Sequence, residues 1–236
     1  MKIRDYNLGY YYVPSNISGI CVDIGANVGS FVKKNVKYFS SIHYYEAYLP
    51  NYNKCQQVLS HYNNVFGYNE AVSSRDKNIV ELLIPNNEDC GSIAVDSKVI
   101  KIKDENWDKG KFPDKVLTVS LETILLRAGG FIDYMKVDCE TSEYNLLMGK
   151  DLSKIGIIAI EIHCQLGEKK VDELTRHISK THILIPKYSK YVGFKPRKNQ
   201  QVFFQNKNYK IKSDNILNRF YRKIKLQTIK LWNYGY

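Results

Sequence analysis

Two apolar runs of the sequence each end in side chains that could transfer a proton or stabilise a charge. They are Asp138 and Glu140 after the first run, and Glu161 and His163 at the end of the second. Histidine is the side chain best suited to proton transfer near neutral pH. Two carboxylates so close in sequence are costly to ionise together unless a cation such as Lys136 lies nearby. These residues therefore predict an acid/base site; the alternative is a structural histidine with helix-capping acids.

The elements that must position these residues are two neighbouring parallel strands. Residues 155–163 are almost continuously apolar, which is typical of a strand covered on both faces. The other run ends near Asp138, and a helix is predicted to begin at residue 142. In open α/β sheets the ligand crevice lies outside the carboxyl ends of the strands. We therefore predict an α/β fold in which both pairs of residues flank that crevice.

A third strand end carries a glycine turn. Residues 20–24 predict a buried strand, residues 28–38 predict a helix, and the turn between them contains Gly25 and Gly29. Glycine lets a ligand approach the backbone, and the free N–H groups at a helix start can face polar ligand atoms. The fingerprint of dinucleotide sites is absent, because Asn27 stands at the position of its second glycine. A turn without a ligand is the alternative.

Three motifs resemble those of the FkbM family of class I S-adenosylmethionine-dependent methyltransferases. The first is Asp-Ile-Gly-Ala-Asn-Val-Gly at 23–29, similar to the family's D-[IV]-G-A-N-x-G. The second resembles D-[LY]-[LM]-K-[IV]-D-x-E-G-A-E; the matching residues are Asp133, Lys136, Asp138, Glu140 and Glu143, while Thr141 and Ser142 replace its Gly and Ala. The third is the family's Glu-x-His, here Glu161 and His163. The resemblance covers roughly residues 5–205.

This resemblance implies a Rossmann-like class I methyltransferase fold with a mostly parallel central sheet. It implies S-adenosylmethionine as the methyl donor, bound against the glycine turn. The residues expected to contact the donor there are Asp23, Gly25, Ala26, Asn27 and Gly29. It also implies an O-linked acceptor, often a sugar hydroxyl on a glycan or natural product.

The ends of the second and third predicted strands supply the rest of the expected donor site. Glu46 ends the strand 41–46 and lies twenty-one residues after Gly25. An acid at this offset can accept hydrogen bonds from both ribose hydroxyls, and NAD and S-adenosylmethionine share that adenosine. In this fold class the end of strand three meets the adenine ring, so we expect Asn69 or Glu70 to contact adenine.

Residues 74–120 predict strands rather than a helix, and a β-rich insert between strands 3 and 4 also resembles the FkbM family. Residues 182–186 and 201–205 predict a final hairpin. We therefore expect a methyltransferase domain at 1–206 and a basic amphipathic helical tail at 207–236.

The net charge of +11 is unevenly placed. Residues 187–236 hold thirteen Lys and Arg residues and a single acid, Asp214, while the remainder of the chain is nearly neutral. Such asymmetry suggests an anionic partner for the tail, either a membrane surface or nucleic acid. A solvated tail, or one docked on the protein's own body, is the alternative.

Cysteine usage and hydropathy bear on location. The five cysteines are odd in number and form no Cys-x-x-Cys, which favours a reduced, intracellular protein over a disulfide scaffold or zinc site. No apolar run approaches the roughly 18 residues of a membrane span, and the N-terminus lacks the apolar core of a signal peptide. We expect a cytoplasmic protein whose tail can lie at a membrane.

The sequence thus predicts an O-methyltransferase acting on a sugar hydroxyl of a glycan or glycoconjugate. The candidate bases are His163 and Asp138, with Glu140 and Glu161 orienting the acceptor or the base. Clustered carboxylates are compatible with a metal ion, but no ligand spacing demands one, so none is predicted. One alternative is a nucleic-acid ribose 2′-O-methyltransferase, favoured by the tail. The other is a catalytically silent adenosine-binding scaffold attached to a membrane, supported by the departures at Thr141 and Ser142.

Overall fold

A computed structural model describes residues 11–14, 16–83, 93–95, 115–196 and 198–210. Its strands, β1 to β11 in chain order, are Ile20–Ile24, Ser41–Tyr45, Val65–Tyr68, Ala71–Val72, Ile79–Leu83, Ile93–Val95, Lys115–Val119, Ile132–Val137, Ile155–Ile162, His182–Leu184 and Gln200–Asn206. Its helices, α1 to α5, are Ser30–Asn35, Leu49–Leu59, Leu121–Arg127, Glu143–Leu147 and Glu168–Ser179, with short 3₁₀ turns at Cys164–Leu166 and Pro186–Tyr188.

The central sheet has seven strands in the order β10-β11-β9-β8-β1-β2-β3. Strands β3, β2, β1, β8 and β9 are mutually parallel, and β11 runs antiparallel to both β9 and β10. The chain builds outward from β1 to β3 and then crosses back to β8, on the other side of β1. The order of strands therefore reverses between β1 and β8, which is where open α/β sheets place their ligand. This architecture confirms the predicted Rossmann-like fold.

Side chains alternate between two apolar layers, one on each face of the sheet. On β8, Met135 and Val137 pack with α3, α4 and α5, whereas Tyr134 packs on the opposite face with α1, α2 and residues 11–13. The central strands are covered on both sides, so their sequences are apolar at nearly every position, as the run through β9 indicates.

The segment between β3 and β8 is β-rich, as predicted. Strands β4, β7, β5 and β6 form a second, smaller sheet in that order. Its strand β4 follows β3 closely and pairs in parallel with β7, and α3 then leads directly into β8. The insert therefore connects the end of β3 to the start of β8 through α3.

One predicted helix end differs from the structure, and one predicted helix is not described by it. Helix α1 ends at Asn35 rather than near residue 38. Beyond that end, the Asn64 side-chain amide donates hydrogen bonds to the carbonyls of Val36 and Phe39, which would otherwise be free to continue the helix. The predicted tail helix lies outside the described residues from 211 onward. In the described part of the chain, no helix has both the length and the apolar character of a membrane span.

Candidate active site

The glycine turn lies at the point where the strand order reverses. Gly25 has φ +72°, and a Cβ built there would lie 1.7 Å from the Asp138 carbonyl oxygen, so only glycine fits. Gly29 also has a positive φ, and so does Asn27, a residue type that tolerates this region better than most. The turn after β1 is therefore pressed against the end of β8, and the expected donor site adjoins the acid that follows β8.

Glu46 braces the glycine turn from the end of β2. Its Oε2 accepts a hydrogen bond from the Asn27 backbone N–H at 2.8 Å, and its Oε1 accepts one from the Tyr48 N–H at 3.0 Å. Burial raises the pKa of Glu46 to about 7, although both N–H groups favour the charged form. The carboxylate thus lies beside the turn, as a ribose-binding acid must, and its contact with ribose stays a prediction.

Asp23 and Lys136 form a buried ion pair behind the turn. Lys136 Nζ lies 2.9 Å from Asp23 Oδ1 and donates to the Gly25 carbonyl at 2.9 Å. Burial raises the pKa of Asp23. Burial would lower the pKa of Lys136, but Asp23 and the other nearby acids outweigh it and raise that pKa. Asp23 is completely buried, and its pairing with Lys136 supports the turn from behind; its contact with the donor stays a prediction.

The predicted histidine lies between two carboxylates. His163 Nδ1 lies 3.0 Å from Glu143 Oε1, which also accepts the His163 backbone N–H at 2.7 Å, and Nε2 lies 3.0 Å from Glu140 Oε2. Burial alone lowers the pKa of His163, but the Glu143 and Glu140 carboxylates outweigh it and hold the pKa well above its usual range. Glu143, at the start of α4, was not among the predicted site residues, although it matches the second motif.

Asp138, Glu140 and His163 come together as predicted. One ligand-type atom from each lies within 4.8 Å of the other two, so these residues could hold a metal ion. We call this set the acid–histidine cluster. Glu140 and Thr141 reach it through a turn in which both have a positive φ, of 48° and 78°. Thr141 thus keeps the left-handed turn for which the family uses glycine.

Glu161 lies in a different set of contacts from His163, although they are two residues apart. Its Oε1 accepts from the Asn199 amide at 2.9 Å, and its Oε2 lies 3.3 Å from the Tyr11 hydroxyl, which donates to it. Burial, and then the charges of Asp138 and Glu161, raise the pKa of Tyr11. Tyr11 therefore lies between the Glu161 carboxylate, which it contacts, and the charge of Asp138. Tyr11 was not among the predicted site residues, because the tyrosines near the N-terminus follow no regular spacing.

Asn69 and Glu70 are both held by groups of the protein. The Asn69 amide donates to the carbonyls of Glu46 and Ala47 at 2.9 Å each, which fixes the end of β2. The Glu70 carboxylate pairs with Arg127, whose guanidinium lies 4.4 Å from the centre of the Tyr68 ring. No pattern in the sequence indicated that Arg127 would lie at this site. Contact of either residue with adenine stays a prediction.

A family of known proteins matches the part of the chain that contains these residues. The family described as Methyltransferase FkbM domain matches residues 23–196, a stretch that contains the glycine turn, the acid–histidine cluster and Glu161. Among solved structures, M. capricolum TrmK in complex with S-adenosyl-homocysteine is similar at 11% identity, over 93% of this chain and 82% of that chain, with a TM-score of 0.39. No curated protein sequence matches the chain.

Proposed function

Because the chain belongs to the FkbM methyltransferase family, and so uses S-adenosylmethionine as its methyl donor, we propose that its acceptor is a sugar hydroxyl of a glycan or glycoconjugate. The observation that carries the proposal is the partly exposed Asp138 carboxylate, which follows β8 directly beside the glycine turn. An ionised carboxylate accepts hydrogen bonds and donates none, so it suits a methyl acceptor that is rich in hydroxyl groups.

The residues that would hold the donor are the turn at 25–29 and Glu46. Two positive-φ glycines shape this turn, and the buried Glu46 carboxylate fixes it. The donor, when bound, supplies a sulfonium methyl group that passes to the acceptor oxygen as the carbon–sulfur bond breaks. The protein must hold that oxygen about 3 Å from the methyl carbon and in line with the sulfur.

Asp138 is the group best placed to accept the proton that the hydroxyl loses. Both ring nitrogens of His163 face carboxylates, of Glu143 and Glu140, whereas Asp138 has 29% of its side chain exposed. Its Oδ2 lies 3.9 Å from Lys136 Nζ, and the glycine turn adjoins it. A positioned base of this kind typically contributes about 10²–10⁴-fold to the rate.

The crevice itself disfavours nucleic acid as the acceptor. Asp138, Glu140 and Glu161 all carry carboxylates at the carboxyl ends of β8 and β9, where a phosphate backbone would be repelled. The argument for nucleic acid comes from the basic residues of 207–236, most of which lie outside the described residues. For that tail we propose an anionic membrane surface, which would make the enzyme a cytoplasmic protein peripheral to a membrane.

The test of the proposed acceptor is transfer of a labelled methyl group from S-adenosylmethionine to separate glycan and RNA pools. We expect label in the glycan pool, retained after nuclease treatment and released with a methylated sugar on acid hydrolysis. Label in RNA that is lost on nuclease treatment would contradict the glycan acceptor and favour the alternative, a nucleic-acid ribose 2′-O-methyltransferase. Donor binding without label in either pool would favour the silent scaffold.

A further inference from the structure

We propose that the acid–histidine cluster binds one divalent transition-metal ion, held by Asp138, Glu140 and His163. The three donor atoms lie within 4.8 Å of one another. Glu140 Oε2 and His163 Nε2 are 3.0 Å apart. Two ligands at right angles around an ion, each about 2.1 Å from it, lie about 3.0 Å apart, so this pair already has the spacing of neighbouring ligands.

The orientation of His163 is the second observation that points to an ion. Its Nδ1 faces Glu143 Oε1 at 3.0 Å, and Glu143 is completely buried. Glu143 thus holds the ring through Nδ1, and the other ring nitrogen, Nε2, faces Glu140 in the cluster. Histidines that bind metals nearly always donate their remaining N–H to a carboxylate or carbonyl in this way, which fixes the ring. Glu143 supplies that carboxylate from α4, outside the three ligands.

The local charge also favours a cation. Three carboxylates, of Asp138, Glu140 and Glu143, surround one histidine. Lys136 offers them little compensation, because its Nζ lies 2.9 Å from Asp23 and 3.9 Å from Asp138. A divalent ion relieves the repulsion between neighbouring carboxylates.

The donor set indicates which ions fit. Two carboxylate oxygens and one imidazole nitrogen suit Mn²⁺, Fe²⁺ or Zn²⁺ better than Mg²⁺, which prefers an all-oxygen shell. The side chains of Asp138 and Glu140 are 29% and 28% exposed, so further ligands can reach the ion from the crevice. The inference goes beyond the proposed methylation, because ion binding is a property of the protein without donor or acceptor.

The test is a titration of the full-length, chelator-treated protein with Mn²⁺, in which the electron paramagnetic resonance signal measures the free ion. We expect saturation at one Mn²⁺ per chain. Glu140→Gln removes a ligand and Glu143→Gln removes the carboxylate that orients His163, so each should weaken binding about 10- to 100-fold. The matched control is Glu161→Gln, which removes a carboxylate of the same crevice outside the cluster and should change the affinity by less than about twofold.

The proposal would be overturned by the absence of saturable binding up to about 1 mM Mn²⁺, or by unchanged affinity in Glu140→Gln or in a folded Glu143→Gln. An equal loss of affinity in Glu161→Gln would also overturn it, because it would mean unspecific attraction to acidic groups. Circular dichroism checks the fold of each variant. If Glu143→Gln does not fold, Asp138→Asn takes its place, because Asp138 is partly exposed, and unchanged Mn²⁺ affinity in that variant would likewise overturn the proposal. Absence of bound Mn²⁺ would leave the methylation proposal standing, since its base is a side chain of the protein.

Discussion

At the scale of single residues, Glu46 connects the glycine turn to the donor. We expect Glu46→Gln to weaken S-adenosylmethionine binding about ten- to a hundredfold, because hydrogen bonds to a charged acceptor are worth about 1.5–3 kcal/mol. Since burial raises the pKa of Glu46 to about 7, the ionised form increases as the pH rises from 6 to 8, and donor affinity should rise with it. Calorimetry at both pH values measures this. The donor affinity of Glu46→Gln should not change between these pH values. If a folded Glu46→Gln binds the donor as tightly as the unmodified protein, Glu46 does not belong to the site.

The same carboxyl should make the stability of the protein without donor depend on pH in the opposite direction. The folded pKa of Glu46 is raised from 4.5 to about 7, so its favourable contribution is complete below pH 4.5 and is lost as the pH rises through 7. The loss amounts to about 3 kcal/mol. Urea unfolding at pH 5 and pH 8 tests this, with Glu46→Gln as the reference that lacks the titrating group. If the free energy of unfolding falls equally in both proteins between pH 5 and pH 8, a group other than Glu46 causes the pH dependence.

Asp138 is the residue on which the proposed chemistry depends. Asp138→Asn keeps the size of the side chain but removes its ability to accept a proton, so turnover should fall by about 10²-fold or more. Donor affinity should change little, since the donor is held by the turn at 25–29 and Glu46. Single-turnover methylation and calorimetry separate the two effects. Full turnover in Asp138→Asn would show that transfer needs no base at this position.

At the scale of elements, the turn between β8 and α4 stores strain. Thr141 has φ +78°, which is unfavourable for a β-branched residue, and among the described residues nothing hydrogen-bonds its buried hydroxyl. Thr141→Gly should therefore raise the free energy of unfolding by about 1 kcal/mol, the relief of a left-handed conformation less the entropy of glycine. The control is Thr123→Gly inside α3, which should destabilise the protein. Denaturant unfolding compares them, and loss of stability in Thr141→Gly would mean that the turn needs the threonine methyl group.

The elements were predictable from the sequence to the extent that each rests on a local pattern. The run through β9 is apolar because both faces of the strand are buried. The glycine turn could be recognised because the structure leaves no room for a Cβ at Gly25, so the sequence must have glycine there. The contacts of Glu143 with His163, Arg127 with Glu70 and Tyr11 with Glu161 join residues twenty or more positions apart. Such pairs depend on how α4, α3 and residues 11–13 pack on the sheet, and no spacing in the sequence encodes that packing.

At the scale of the whole molecule, the basic tail should attach the enzyme to an anionic surface. Electrostatic attraction contributes about 1 kcal/mol for each Lys or Arg close to such a surface. The full-length chain should sediment with anionic vesicles and be released as salt rises. A chain cut after Lys212 should keep its donor affinity and lose the vesicles. Unfolding of the cut chain would mean that the tail belongs to the core, and binding of RNA with a steep salt dependence would favour the nucleic-acid alternative.

The antiparallel strand β11 gives the chain a fixed order of assembly during synthesis. Among the described strands, β11 lies between β10 and β9 and pairs with both. The edge of β9 that faces away from β8 therefore has no partner until residues 200–206 leave the ribosome. This strand carries Gln201, and Asn199 lies just before it; both donate hydrogen bonds to the Glu161 carboxylate. A nascent chain can therefore complete its donor turn early, but it closes the acceptor side of the crevice only when the last strand enters. Until then an open sheet edge is exposed, which is the feature that chaperones and neighbouring nascent chains recognise.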